Sequence, residues 1–250
     1  MMILSVGMPR AGSGWYYNLM HDLVVASGGN DARWIRQKFH LNSIWTEVNC
    51  NIGVLSPRRL WLSLIPAAFG YTYVVKAHAA PSRLGKLFLR LGWLKAAYIY
   101  RDPRDAMLSA MENGQRARQK GQTNAFAQLV DFEQAMAFMR EYVRISDAWL
   151  ALPMVFHTRY EDLLSDYSRQ AEKLCEFLSV DPQAREINAV IERYRPEQAT
   201  SEQKGLHFRK GKIGRYREKF TSREQAVLNR EFSAYLIKYG YSLDEAASIT

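Results

Sequence analysis

The chain has 250 residues, with 34 Lys and Arg against 25 Asp and Glu, a formal charge of +9 and 48% hydrophobic residues. Those figures exclude intrinsic disorder and describe a globular chain long enough for one large α/β core. The excess of base predicts a negatively charged partner, and composition leaves nucleic acid, an anionic membrane surface and a phosphorylated cofactor all open.

Cys50 and Cys175 are too few for a disulfide framework, and neither has metal-ligand spacing, so a reducing cytoplasm is expected. Residues 2–6 (Met-Ile-Leu-Ser-Val) read as a strand that runs straight into a Gly-rich turn, without the basic and apolar regions of a signal peptide. An i, i+4, i+8 stripe at Trp15, Leu19 and Leu23 then predicts a helix ending at Gly28-Gly29. The longest apolar stretch, residues 60–75, is broken by Ser63, Pro66, Gly70 and Thr72. It falls short of the roughly 20 residues that span a bilayer and is read as core. Further strands are predicted over 71–75, 96–100 and 153–156, rich in β-branched and aromatic residues. Helices are predicted over 103–111, 127–150, 161–178, 183–194 and 222–238. Strands alternating with amphipathic segments mean parallel βα units, and without repeats or linkers the whole chain, 1–250, is expected to form a single domain. Two polar stretches, 112–125 and 196–220, read as binding loops or lids.

Four segments carry chemistry. Gly7-Met8-Pro9-Arg10-Ala11-Gly12-Ser13-Gly14-Trp15 joins a strand to a helix, where small residues and a helix N-terminus suit a phosphate. The G-x4-G spacing matches a P-loop, but Ser13 and Gly14 stand where a nucleoside triphosphatase needs Lys and Ser/Thr for the phosphates and Mg²⁺. Arg10 supplies a cation from mid-loop. In Val74-Val75-Lys76-Ala77-His78, period-2 alternation points Lys76 and His78 the same way at a strand's end, and His is the natural general base near neutral pH. In Arg101-Asp102-Pro103-Arg104-Asp105-Ala106-Met107-Leu108-Ser109, Asp102 reads as an N-cap and Pro103 as the first helical residue. Arg101 and Ser109 form a candidate anion pair, and Arg104 reads as a helix-surface charge. Residues 208–221 concentrate positive charge around Gly211 and Gly214.

Taken together and in order, these segments resemble the sulfotransferases that use 3′-phosphoadenosine 5′-phosphosulfate (PAPS). The loop over 9–15 is similar to that family's P-[KR]-[SA]-G-[ST]-x-W phosphosulfate loop, and Lys76-Ala77-His78 to its K-x-H strand. Residues 101–109 are similar to its R-[ND]-P-[KR]-D-x3-S motif, Tyr160-Glu161-Asp162-Leu163 to its Y-E-D-L segment, and 208–221 to its R-K-G-x2-G-x-[WY]-x3-F-T signature. The resemblance implies a three-layer, P-loop-like fold with a central parallel sheet flanked by helices. It implies sulfuryl transfer from PAPS to a hydroxyl of a small-molecule, lipid or glycan acceptor, with 3′,5′-adenosine bisphosphate as product and no metal.

Residue by residue, the resemblance implies His78 as general base, with Lys76 on the transferring group and Arg10 on the leaving phosphate. Arg10, Ala11, Gly12, Ser13 and Gly14 would hold the 5′-phosphosulfate, Trp15 would stack on adenine, and Tyr160 would lie near the base. Arg101, Ser109, Arg209, Lys210 and Gly211 would hold the 3′-phosphate. Two departures stand out: Gly14 replaces a hydroxyl residue, and Arg215-Tyr216 replaces the common Asp-Trp. Residues 30–70 match no cofactor motif and hold Trp34, Trp45 and Trp61, which suits an acceptor wall and, equally, core packing. A P-loop nucleotide kinase and a non-catalytic binder of nucleic acid are the rival readings. The first lacks the Walker lysine, and in the second the basic residues do not follow one helix face.

Overall fold

The computed structural model describes residues 1–198 and 211–243. Four strands, β1 (Met2–Gly7), β2 (Tyr73–Ala77), β3 (Leu94–Tyr100) and β4 (Phe156–Arg159), form one parallel sheet in the order β2-β1-β3-β4. Helices precede or follow them: α1 (Ser13–Ala26), α2 (Ala32–Lys38), α3 (Pro57–Ala68), α4 (Arg83–Arg90), α5 (Pro103–Gln119), α6 (Phe132–Leu150), α7 (Tyr160–Ser165), α8 (Tyr167–Leu178), α9 (Arg185–Arg193), α10 (Tyr216–Lys219) and α11 (Ser222–Lys238). The chain divides into two compact units, one of Met1–Tyr100 with Ala148–Gly211 and the other of Arg101–Asp147 with Lys212–Thr250.

In the first unit every residue of β1 and β2 is buried, the sign of a parallel sheet covered on both faces. Register assigns the faces. Ile3 pairs with Val74 and Lys95, so Ile3, Val74, Ala97 and Ile99 point one way, into a core with Trp15, Leu19, Leu23, Leu174 and Ile191 from α1, α8 and α9. The alternate residues point the other way. There the Tyr73 hydroxyl donates to the Ser63 carbonyl of α3, and the Tyr98 ring stacks on Trp149 at 6.1 Å. The result is helix, sheet, helix.

The second unit packs α5, α6, α10 and α11 together. Leu228, Phe232 and Leu236 of α11 are buried, Tyr235 and Ser146 share a hydrogen bond of 2.9 Å, and Phe132 meets Phe220 edge-on. Thr221 and Glu224 cap α11 reciprocally, which fixes its start.

Several expectations shift. The strand expected over 153–156 forms over Phe156–Arg159, because Thr158 takes the buried place opposite Ile99 and donates or accepts with the Tyr16 hydroxyl at 2.8 Å. The helix expected over 103–111 runs on to Gln119, through most of the expected 112–125 loop. Gly114 permits this extension, because a Cβ there would meet the Phe126 carbonyl oxygen at 2.0 Å. Arg118 then donates to the Ala127 carbonyl at 2.8 Å and closes the turn that follows. The single helix over 161–178 breaks at Asp166, whose φ of −138° is not helical. Residues 60–75, read as core, are only half so: Leu60 and Leu64 are buried while Trp61, Ile65 and Phe69 are exposed.

Candidate functional site

The C-terminal ends of β1 and β2 bring the first two motifs together within the first unit. β1 ends at Gly7, where a Cβ would lie 2.6 Å from Ile99 Cγ2, so only glycine lets the strand and the turn pass this closely. The Met8 N–H donates to the Ile99 carbonyl at 3.0 Å and the Ala11 N–H to the Met8 carbonyl at 3.1 Å, which tightens the loop. Arg10 and Gly12 both adopt the left-handed region, with φ of 67° and 75°. An arginine in that region stores conformational energy, a feature that concentrates at functional sites. Gly12 is also covered by Tyr160, whose ring carbons would stand 2.8 and 2.9 Å from a Cβ.

Helix α1 starts at Ser13 without a side-chain N-cap. Its first N–H groups and the positive end of its dipole therefore face the loop. Trp15 anchors that start, donating from Nε1 to the Tyr194 carbonyl at 2.9 Å and stacking on Tyr167 at 5.9 Å. At 1% exposure, with Tyr160 edge-on at 6.5 Å, it is a core residue here, and adenine stacking would need side chains around it to move.

Lys76 lies opposite Ser5 in the register, on the α1 side of the sheet, and is 6% exposed. Segment 50–52 borders it: the Lys76 N–H donates to the Cys50 carbonyl at 3.3 Å, and the Ile52 N–H donates to the Lys76 carbonyl at 2.9 Å. Burial, and then the charge of Arg10, lower the Lys76 pKa to about 8. His78, half-buried one step past the strand, places Nδ1 2.7 Å from the Gly7 carbonyl. A carbonyl only accepts, so Nδ1 carries the proton and Nε2 keeps its lone pair. Burial and the Lys76 charge push the His78 pKa down to about 4, against the opposing pull of the Gly7 carbonyl. The imidazole is therefore neutral at pH 7. Two cations, a helix N-terminus and a neutral imidazole thus share one strand edge, an arrangement that holds an anion and accepts a proton beside it.

The third motif lies in the second unit. Asp102 caps α5 as expected, accepting from the Arg104 N–H at 2.9 Å, with Pro103 first in the helix. Arg101 is 7% exposed and donates to Asp105 at 3.3 Å and to the Lys212 carbonyl at 3.2 Å. Ser109 is partly buried on α5. Arg104, read as a surface charge, is fully buried. Its guanidinium grips Asp102 at 2.7 Å, Asn229 at 2.7 Å and the Ser242 carbonyl at 2.9 Å, and lies 4.2 Å above the Tyr216 ring. Burial of such a fork is tolerable only because its donors are met.

Asp105 is the residue that sequence reasoning missed. It accepts from the Gly214 N–H at 2.7 Å and the Tyr216 N–H at 3.0 Å, and so holds the glycine-rich segment in place. Its position three residues after an N-cap Asp was the available signal. Arg215, left without a role by the sequence, pairs with Glu112. Gly211 has a left-handed φ of 53°, and Arg209 and Lys210 lie outside the described residues.

The tryptophans of 30–70 divide between core and surface. Trp45 is core, donating to the Ser63 hydroxyl at 2.8 Å. Trp34 packs on Tyr71 and Trp61 on Trp93, residues that precede β2 and β3 and so mark the edge of the sheet opposite His78. Of the segment 30–70, residues 50–52 are the ones that border Lys76.

Among the described residues no helix is long and apolar enough to cross a membrane. No curated protein sequence matches the chain. Solved structures do. Retinol dehydratase in complex with androsterone and the inactive cofactor PAP is similar at 18% identity and a TM-score of 0.59, covering 94% of this chain and 80% of that one. Mouse sulfotransferase SULT7A1 complexed with PAP is similar at 17% identity and a TM-score of 0.59, covering 94% and 84%. Sulfotransferase STF9 from Mycobacterium avium is similar at 15% identity and a TM-score of 0.50, covering 97% and 77%. These likenesses establish the fold, a parallel four-stranded sheet flanked by helices in the P-loop-like sulfotransferase arrangement. The family model for the sulfotransferase domain matches residues 2–240, and the chain belongs to that family of enzymes.

Proposed function

We propose that the chain uses PAPS as donor and passes its sulfuryl group to an alcohol or phenol hydroxyl, with His78 as the general base. The observation that carries this reading is the His78 imidazole, fixed by the Gly7 carbonyl with Nε2 unprotonated, beside the buried cation Lys76. PAPS supplies an activated sulfuryl group on a phosphate leaving group. The residues present suit it: Arg10, Lys76 and the uncapped α1 N-terminus offer donors to a multiply charged anion. A sulfuryl group carries less charge than a phosphoryl group, so side-chain cations and N–H dipoles suffice for its charge.

The roles follow from position. The N–H groups of Gly12, Ser13 and Gly14 and the Arg10 guanidinium hold the 5′ group, and Lys76 neutralises charge at the transferring oxygens. Nε2 of His78 takes the acceptor's proton as its oxygen becomes a nucleophile. A free-chain pKa near 4 makes His78 a weak base, but a bound polyanion offsets the Lys76 charge that depresses it, and basicity rises when donor is present. We assign the 3′-phosphate to Arg101 and Ser109 together with Arg209, Lys210 and Gly211, and the neighbourhood of the base to Tyr160. The acceptor is a hydroxyl compound of small-molecule, lipid or glycan type. Retinol dehydratase in complex with androsterone, a hydroxyl-bearing steroid, supports the first of these. Both cysteines are buried free thiols, which supports a reducing cytoplasm.

Binding distinguishes the readings. Adenosine 3′,5′-bisphosphate should bind at least tenfold more tightly than AMP, and Arg101→Ala should abolish that preference. Equal binding of the two nucleotides removes the 3′-phosphate assignment. Mg²⁺-dependent ATP binding would instead favour a nucleotide kinase.

A further inference from the structure

The edge of the sheet opposite His78 carries an apolar surface that the proposed chemistry does not use. Helix α3 is apolar on two faces. Leu60 and Leu64 point inward, while Trp61, Ile65 and Phe69, spaced four apart, are 51%, 41% and 72% exposed. Helix α4 leaves part of its apolar stripe uncovered, with Phe88 and Leu89 buried and Leu87 and Leu91 47% and 52% exposed. Between them Met1, Trp61, Ile65 and Trp93 line a half-open groove of about 580 Å³. The surface continues through Phe69 to Phe39, at 6.0 Å between rings, and on to Tyr71 and Trp34. Soluble monomers rarely expose so continuous an apolar patch without a partner.

Charge narrows the partner. Between Glu47 and Asp102 the sequence has no acidic residue and eight Lys and Arg. Arg90, exposed, stands immediately before Leu91. Exposed Lys38 lies 4.5 Å above the Trp34 ring with its Nζ on the Tyr71 hydroxyl, and the Met1 ammonium donates to the Tyr71 carbonyl. Aromatic rings whose neighbours are cations match the interfacial layer of a bilayer with anionic headgroups. A second copy of the chain fits poorly, because a two-fold contact would set one cationic face against another.

We propose that this face docks on an anionic lipid bilayer, with Trp61, Leu91 and Trp93 entering the headgroup boundary and Lys38 and Arg90 meeting lipid phosphates. β1 is six residues long, so the face lies about 20 Å from the loop after Gly7, and docking leaves the His78 edge open to the aqueous side.

Flotation of the full chain with phosphatidylcholine vesicles, with and without phosphatidylglycerol, tests this. The expected result is binding only where phosphatidylglycerol is present, weakening steeply with salt, with tryptophan emission shifted to the blue. Trp61→Ser with Trp93→Ser, and separately Lys38→Glu with Arg90→Glu, should each weaken binding tenfold or more. Adenosine bisphosphate affinity should not change, so failure here leaves the donor assignment standing. The charge-reversal pair changes only exposed side chains and carries the test if the tryptophan pair misfolds. No binding to anionic vesicles, or equal binding by the variants, overturns the proposal. A concentration-dependent dimer abolished by the same variants overturns it as well and assigns the face to a second copy.

Discussion

His78 is held neutral by burial beside Lys76, and that has a cost in stability at low pH that can be measured without knowing the acceptor. Its pKa is about 4 in the folded chain against an ordinary 6.5, so below pH 6.5 the unfolded chain binds a proton that the native chain resists. The sign is therefore definite. This contribution to stability is present above pH 6.5 and is lost as pH falls toward 4. Between pH 7.5 and 4.5 the loss is about 2–3 kcal/mol, because roughly two powers of ten of the difference in proton affinity are felt in that interval. His78→Asn retains an N–H donor for the Gly7 carbonyl but has no proton to gain. Urea unfolding of both proteins at the two pH values isolates the effect, because every other titrating group is common to them. The wild type should lose about 2–3 kcal/mol more than the variant on acidification. Equal pH dependence would mean that His78 is not held neutral, and the geometry at Gly7 would lose its significance.

Other substitutions probe the remaining elements. Lys76, with a pKa near 8, should lose its charge as pH rises through that value, so titration calorimetry should find adenosine bisphosphate affinity falling between pH 7 and 9; Lys76→Arg should remove that alkaline limb. Gly12→Ala must adopt a φ of 75° and displace the Tyr160 ring, which should cost about 1–3 kcal/mol in denaturant stability and weaken nucleotide binding. Arg104→Met removes the buried guanidinium that meets the Asp102 carboxylate, Asn229 and the Ser242 carbonyl and should destabilise the chain by about 3–5 kcal/mol, whereas a surface charge would cost less than about 1. Asp105→Ala should free the Gly214 and Tyr216 N–H groups and speed their hydrogen exchange while α11 stays protected.

What could be read from the sequence was what depends on neighbours in the chain. The strand, the glycine turn and α1 follow from buried residues 2–6, Gly7 and Gly12, and an apolar stripe that stops at Gly28. Asp102 and Pro103 likewise announced the start of α5. What was not legible depends on tertiary partners. Arg104 looks like any helix arginine until Asn229 and the Ser242 carbonyl are brought to it from more than a hundred residues away. Residues 112–119 are too polar to signal a helix, yet Gly114 fits against Phe126 and Glu112 meets Arg215. Helices α2, α3 and α4 were not predicted, although Asp31, Ser56 and Ser82 cap them in the expected way. In α3 the apolar residues fall on two faces instead of one, and this blurs the period that would reveal it. α4 carries a clear stripe at Leu84, Leu87, Phe88 and Leu91 and was legible, but only part of that stripe is buried.

The central claim is transfer from PAPS with His78 taking the proton. The direct measurement follows sulfur-labelled PAPS incubated with the full chain and a panel of alcohols and phenols, comparing wild type with His78→Asn. Label should appear on a hydroxyl acceptor with wild type, and turnover should be at least a hundredfold slower with the variant at unchanged adenosine bisphosphate affinity. Undiminished turnover by His78→Asn would contradict that claim.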